Sequence, residues 1–241
     1  MKDIFVTTFN KRLYDEYAHQ LVKSYSKTNQ KIPLYIYVED DLQNYSSIGN
    51  VTYVSLFKEE PECKKFVERN KHKPKEKFSY DAVRFCYKVF AQNASRKYAD
   101  RIFYIDSDSV FMKEIPEQWY NDFLPPDKFL AFYDRPKQYT ETGFLAFDNT
   151  KSYANDFFKH YTDLYVTDKV YNLKAYTDCH TLDATRKHFK ENVNEYKEIP
   201  RGDGVSGHIM ARDSLIHPYI DHRKGGRKEQ KNSPEWLNRR S

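Results

Sequence analysis

The alternation of apolar and polar positions opens the chain on a strand, Ile4-Phe5-Val6-Thr7-Thr8-Phe9, a β-branched and aromatic run that stops at Asn10. Tyr14, Tyr17, Ala18, Leu21, Val22 and Tyr25 then fall at i, i+3, i+4, i+7, i+8 and i+11, the stripe of a helix packed on that strand. Leu34-Tyr35-Ile36-Tyr37-Val38 predicts a second strand ending at Glu39-Asp40-Asp41, and residues 51–56 a third. Strand, helix, strand in this order implies a right-handed crossover and a parallel sheet. Residues 59–77 are polar and charged with little apolar periodicity, which predicts a surface loop with room for one short helix. Ser79 is placed to cap the next helix, whose buried stripe is Ala82, Val83, Phe85, Cys86, Val89 and Phe90. Arg101-Ile102-Phe103-Tyr104-Ile105 predicts a buried strand that empties directly into Asp106-Ser107-Asp108. Further strands are expected at 128–133 and 144–147 and a helix at 152–164. The pattern then weakens, with a helix over 181–189, extended chain over 193–199 and a turn at Arg201-Gly202-Asp203-Gly204.

No composition break or internal repeat divides the 241 residues, so the expectation is one α/β domain spanning 1–241. A hydrophobic content of 39% looks modest until the 21 Tyr and 17 Phe are considered; the core must be largely aromatic, with some Tyr lining a polar cavity. No segment approaches the roughly 20 apolar residues of a membrane helix, and Met1-Lys2-Asp3 runs into a strand rather than a signal segment. Cys63, Cys86 and Cys179 are too few and too scattered for a disulfide framework or a Cys-rich zinc site. A soluble, cytoplasmic protein is therefore expected, in which the sequons at Asn44, Asn50 and Asn93 carry nothing.

The net charge of +5 comes from two stretches: residues 64–77 hold seven basic and two acidic side chains, and residues 221–241 hold seven basic and three acidic. Such patches on a balanced body suit phosphate, on a small ligand or on a polymer backbone; solvated loops are the alternative.

Ligands of open parallel sheets sit outside the carboxyl ends of the strands, which is where Asp106 and Asp108 fall. Hard divalent cations take carboxylate oxygens and keep open positions for phosphate. Two chemistries use such a pair: a metal site bridging the diphosphate of a nucleotide-sugar, or the phosphatase signature Asp-x-Asp-x-Thr/Val, met by Asp106-Ser107-Asp108-Ser109-Val110 with Asp106 as covalent nucleophile. Against the phosphatase, about a hundred residues and two or three strands precede the pair, whereas its nucleophile follows the first strand. Gly202-Asp203-Gly204 also lacks the apolar strand that a second acidic site needs. Near the end of the chain His222-Arg223-Lys224-Gly225-Gly226-Arg227-Lys228 has the form His-x-x-Gly-x-x-Lys. An imidazole can complete a metal shell, Gly225 lets backbone approach an anion, and Lys228 places a point charge on phosphate.

With these two motifs the chain resembles glycosyltransferases of the GT-A fold, and most of all family 8, the glycogenin and galactosyltransferase group. The resemblance implies a single Rossmann-like domain with a mostly parallel central sheet and helices on both faces. It implies that Asp106, Asp108 and His222 bind a divalent metal, manganese with magnesium as the alternative. Ser107, Gly225 and Lys228 would then meet the diphosphate of a UDP-sugar donor, and the basic segment 221–241 would close over it. Thr7, Thr8, Asn10 and Tyr14 stand where such enzymes seat base and ribose, and Arg84 at a helix start whose basic residue faces the donor. Thr140-Glu141-Thr142-Gly143-Phe144 is similar to the acceptor-side loop, and Thr177-Asp178 to the acidic loop beside the transferred sugar. The group's Pro-Trp after the Lys is here Glu229-Gln230 and its Asp-Gln-Asp is Asp178-Cys179-His180, so retaining stereochemistry does not carry over.

If the product is inverted, Asp178 and Glu141 compete as general base. The expected acceptor is a glycan or glycoside. A hydroxymethylated base in DNA is the alternative, since the basic stretches could grip a backbone, although aromatic residues do not interleave the first of them.

Overall fold

The computed structural model describes residues 1–135, 139–199, 210 and 215–223. Strand β1 (Asp3–Phe9) leads into an unbroken helical stretch: α1 (Lys11–Leu13), a π-type segment (Tyr14–Ala18) and α2 (His19–Lys27). Asn10 caps it, its side-chain oxygen accepting from the Leu13 amide. Next come β2 (Leu34–Val38), β3 (Val51–Ser55), α3 (Leu56–Glu59), α4 (Pro61–Asn70), α5 (Ala82–Ser95), β4 (Arg101–Ile105) and β5 (Ser109–Phe111). The remainder is α6 (Glu117–Phe123), β6 (Leu130–Tyr133), β7 (Glu141–Asp148), α7 (Ala154–Val166), α8 (Asp178–His188), β8 (Tyr196–Glu198) and β9 (Ile220–His222).

Seven strands form one sheet in the order β3-β2-β1-β4-β7-β6-β8. Strands β1 to β4 pair in parallel, and β7 alone runs against its neighbours. Strand alternation sorts the core into two aromatic-rich layers. Ile4, Val6, Ile102, Tyr104, Leu145 and Phe147 face α4, α5 and α7, while Phe5, Phe9, Phe103, Ile105 and Phe144 face α2 and α6. The helices thus cover both faces of a largely parallel sheet, as expected for a doubly wound α/β domain.

Three local expectations need correction. The polar stretch after residue 59 contains α4, ten residues long, because Cys63, Phe66 and Asn70 make a narrow buried stripe between charged positions and Pro61 starts it well. Asp81, not Ser79, caps α5, accepting from the Arg84 amide; Ser79 lies in the 3-10 turn Phe78–Tyr80. The extended chain expected over 193–199 is present only as β8, Tyr196–Glu198; residues 193–195 end the 3-10 segment Lys190–Glu195. The turn at 201–204 lies outside the described residues. Among the described residues no helix is long and apolar enough to cross a membrane.

Candidate active site

Central strand β4 delivers the acidic pair. Past Ile105 the chain turns tightly, the Ser109 amide donating to the Asp106 carbonyl (3.2 Å), and re-enters extended conformation as β5. Strand β9 pairs antiparallel with β5 in a register that sets His222 opposite Ser109, and the Arg223 amide closes the ladder on the Asp108 carbonyl (2.8 Å). Residues remote in sequence are thereby brought together. His222 Nε2 stands 3.1 Å from Asp108 Oδ1 and 3.9 Å from Asp106 Oδ2, and one ligand atom from each of the three lies within 4.8 Å of the others. Arg223, directly after His222, anchors this end of β9, binding Asp221 (3.1 Å) and the Gln20 amide oxygen of α2.

Two carboxylates and an imidazole suit a divalent cation. The two oxygens of Asp106 are divided: Oδ1 takes Lys88 Nζ at 2.7 Å and the Tyr104 hydroxyl at 3.4 Å, and Oδ2 faces the imidazole. Burial raises the Asp106 pKa; Lys88 and His222 pull it down, and Asp108 and Asp178 push it up. For His222, 2% exposed, burial disfavours the charged ring, yet Asp108 and Asp106 overcome it and the pKa lies above 6.5. The cluster therefore attracts positive charge, as a metal site must.

Gly143, on β7, borders this site. Its carbonyl accepts from the Asp106 amide (2.9 Å) and its amide donates to Glu141 Oε1 (3.0 Å). A Cβ here would sit 3.2 Å from Asp106 Oδ2 and 3.0 Å from Glu141 Oε1. Gly143→Ala is accordingly expected to weaken divalent-metal binding at this candidate site by roughly tenfold, the effect of an overpacking cost near 1–3 kcal/mol shared between site and fold. Calorimetric titration checks it; unchanged affinity would mean that Asp106 Oδ2 does not face the ion.

The acidic pair forms the floor of a cleft of about 740 Å³. Thr8, Asn10, Arg84, Ser107, Glu141, Asp178 and His222 all line it. Thr7 does not: strand alternation turns it to the opposite face, where it is fully buried with its hydroxyl unpartnered. Tyr14 also lies off the wall, packed among Phe9, Tyr45 and His19. Gly225 and Lys228 lie outside the described residues, as does most of the 221–241 segment.

Both candidate bases hold cations. Asp178, 2% exposed, accepts at Oδ2 from Lys88 (2.5 Å) and the Thr142 hydroxyl (2.6 Å). Glu141, 3% exposed, meets Arg135 Nη1 at 3.0 Å.

The sequence reading missed Lys88 and Glu39. Lys88 follows Arg84 by one helical turn on α5, and it is Lys88 whose ammonium bridges Asp106 and Asp178. Burial would lower its pKa, but the two carboxylates hold it well above the usual value. The signal was a cation inside the buried stripe between Cys86 and Val89. Glu39, just past β2, also lines the cleft and accepts from Asn10 Nδ2 (3.0 Å), with the Thr8 hydroxyl, which donates to the Tyr37 carbonyl (2.7 Å), 3.3 Å away. Burial pushes its carboxyl up to about 7 against those hydrogen bonds.

No protein-family model and no curated protein sequence matches the chain. Solved structures do. The galactosyltransferase LgtC, in complex with donor and acceptor sugar analogs, superposes with a TM-score of 0.54 at 14% identity, over 92% of this chain and 87% of its own. Mouse xyloside xylosyltransferase 1 in its apo form gives 0.52 at 12% identity, over 82% and 85%. The glycosyltransferase GlyE of Streptococcus pneumoniae gives 0.51 at 15% identity, over 82% of this chain and 45% of that one. The chain has the GT-A fold. In this GT-A sheet Asp106 and Asp108 leave the carboxyl end of the central strand, and β7 lies beside it carrying Glu141, Thr142 and Gly143.

Proposed function

We propose that the protein is a metal-dependent glycosyltransferase that moves a sugar from a nucleoside-diphosphate sugar, UDP-linked, to an acceptor hydroxyl. The observation that carries this reading is the approach of His222 to both members of the acidic pair at the head of the central GT-A strand. Asp106, Asp108 and His222 would hold the ion, and the imidazole tips the set from magnesium toward manganese. When bound, the ion supplies Lewis-acid neutralisation of the departing diphosphate.

The chain's own residues do the rest. Thr8, Asn10 and Glu39, all on the cleft wall, offer hydroxyl, amide and carboxyl groups to base and ribose. Lys88 ties the floor to Asp178, so the metal-binding and sugar-binding carboxylates share one rigid ion network. Since Asp178 Oδ2 is taken by Lys88 and Thr142, Oδ1, with the Cys179 thiol at 4.0 Å, is the oxygen left to accept from a substrate hydroxyl. In the transfer the bond from the sugar anomeric carbon to diphosphate breaks and one to the acceptor oxygen forms. The hydroxyl proton passes to a carboxylate or to the leaving phosphate.

A pH test follows from His222. Its folded pKa is raised, so the stability supplied by the protonated ring is present below 6.5 and lost as pH rises through the higher folded value. Ion binding runs the other way, because the proton must leave before Nε2 can ligate. Manganese affinity should fall about tenfold per pH unit below that folded pKa, with about one proton released per ion bound there and fewer above it. Calorimetry in buffers of different ionisation heat measures the release; affinity and proton count independent of pH would remove His222 from the ligand set.

A further inference from the structure

We propose that the acceptor hydroxyl is carried by a strand of nucleic acid, held at the mouth of the cleft by a stacking ring and a cationic loop. This inference rests on the transferase reading of the site.

Residues 71–78, every one of them exposed, border the cleft through Lys75 and Phe78, which line it. Lys71, Lys73, Lys75 and Lys77 stand in this segment against Glu76 alone. The loop is docked at two points, Lys73 over the Tyr171 ring at 3.5 Å and Lys75 on Asp81 at 3.0 Å. Lys71 and Lys77 make no ion pair among the described residues. The loop ends at Phe78, which lines the cleft and is 65% exposed. Its ring is fixed edge-on against Phe85 (5.2 Å) and carries the Arg84 guanidinium 4.7 Å from its centroid.

Arg84 differs from the other cations of the cleft wall. Arg12 pairs with Glu16, Lys75 with Asp81, Lys88 with Asp106 and Asp178, and Arg135 with Glu141. Among the described residues Arg84 has no carboxylate partner; its contact is Phe78.

An exposed Phe forgoes about 1.5–3 kcal/mol of burial, and one already fixed by its neighbours needs little further ordering to receive a flat ligand. A neutral sugar would use the ring and ignore the cations. A polyanionic glycan would use the cations without needing the ring. Nucleic acid uses both, with a base to stack and a phosphate at each step. A single strand also presents an unpaired nucleotide to the cleft without the cost of extruding it from a duplex. Phe78 supplies the exposed aromatic that the Lys-rich stretch lacks within itself, its own Phe66 being fully buried.

The test is anisotropy of a fluorescein-labelled, mixed-sequence single-stranded oligodeoxynucleotide across a salt series, without metal or donor. Phe78→Ala should weaken binding roughly five- to hundredfold, the value of one stacked base. Lys71→Ala with Lys77→Ala should flatten the slope of log K against log salt by up to about 1.4. Melting midpoints report whether either variant has lost its fold, and Phe78→Tyr, which keeps the stack, should restore binding. Absence of salt-sensitive oligonucleotide binding, or binding indifferent to Phe78, overturns the proposal. So does salt-independent binding of a neutral oligosaccharide that Phe78→Ala abolishes, which would make the mouth a glycan site. UDP titration with manganese on the same protein separates the two readings. UDP binding without strand binding sinks this inference and leaves the transferase; strand binding without UDP binding removes the transferase, and the acceptor role with it. With both present, sugar transfer from UDP-sugars to oligonucleotides bearing hydroxymethylated bases is expected, and no transfer to any of them would overturn the acceptor role.

Discussion

Asp106→Asn is expected to cut sugar transfer by roughly 10²- to 10⁴-fold, the several kcal/mol that a positioned Lewis acid contributes to a developing diphosphate charge. The substitution keeps the shape of the side chain and removes the charge that faces both Lys88 and His222. Asp108→Asn and His222→Ala should act in the same direction, each with a parallel loss of manganese binding that calorimetry detects without any turnover. The three losses should be strongly non-additive, since removing any one ligand already empties the site. The prediction also separates transferase from phosphatase. A phosphatase nucleophile would leave an aspartyl-phosphate on Asp106 when the wild type meets small phosphoesters, visible as a phosphate adduct by mass spectrometry. No adduct is expected.

Lys88→Met should destabilise the metal-free protein by on the order of 3 kcal/mol, because it strands Asp106 and Asp178 without their shared cation. For a chain of this size that corresponds to a melting midpoint lowered by about 6–12 °C. The informative part is the response to manganese. In the wild type Lys88 competes with the ion for Asp106, so the variant should gain more stability from manganese than the wild type does. Thermal melts of both proteins with and without the ion measure the difference. Equal gains would mean that Lys88 and the ion do not share the Asp106 charge.

The site was legible in the sequence where local pattern and chemistry coincide. Four apolar residues running into Asp106-Ser107-Asp108 marked the end of a buried strand, and β4 ends at Ile105. The parallel β1 to β4 region was equally readable, because each strand is a short run dominated by β-branched and aromatic residues, with a periodic helix after it or a turn signal at its end. What the sequence could not show was partnership. Lys88 reads as a solubilising cation until α5 is packed against β1, and only then does its ammonium fall between carboxylates from two other elements. Helix α4 was hidden by its narrow stripe, and β5 and β9 by their length of three residues, too short for any periodicity. Thr7 and Thr8 look alike in sequence; only the pleat decides that Thr8 faces the cleft and Thr7 does not. Phe78 gave no signal at all, since a ring at the end of a charged loop is as easily read as the first core residue of the next helix.

The central claim is that Asp106, Asp108 and His222 hold one ion. Crystals grown with manganese and UDP, with diffraction recorded at the manganese absorption edge, test it most directly. A single anomalous peak within coordinating distance of all three side chains and of the UDP phosphates is the predicted result. A peak that lies away from His222, or the absence of any peak beside the acidic pair, would contradict it.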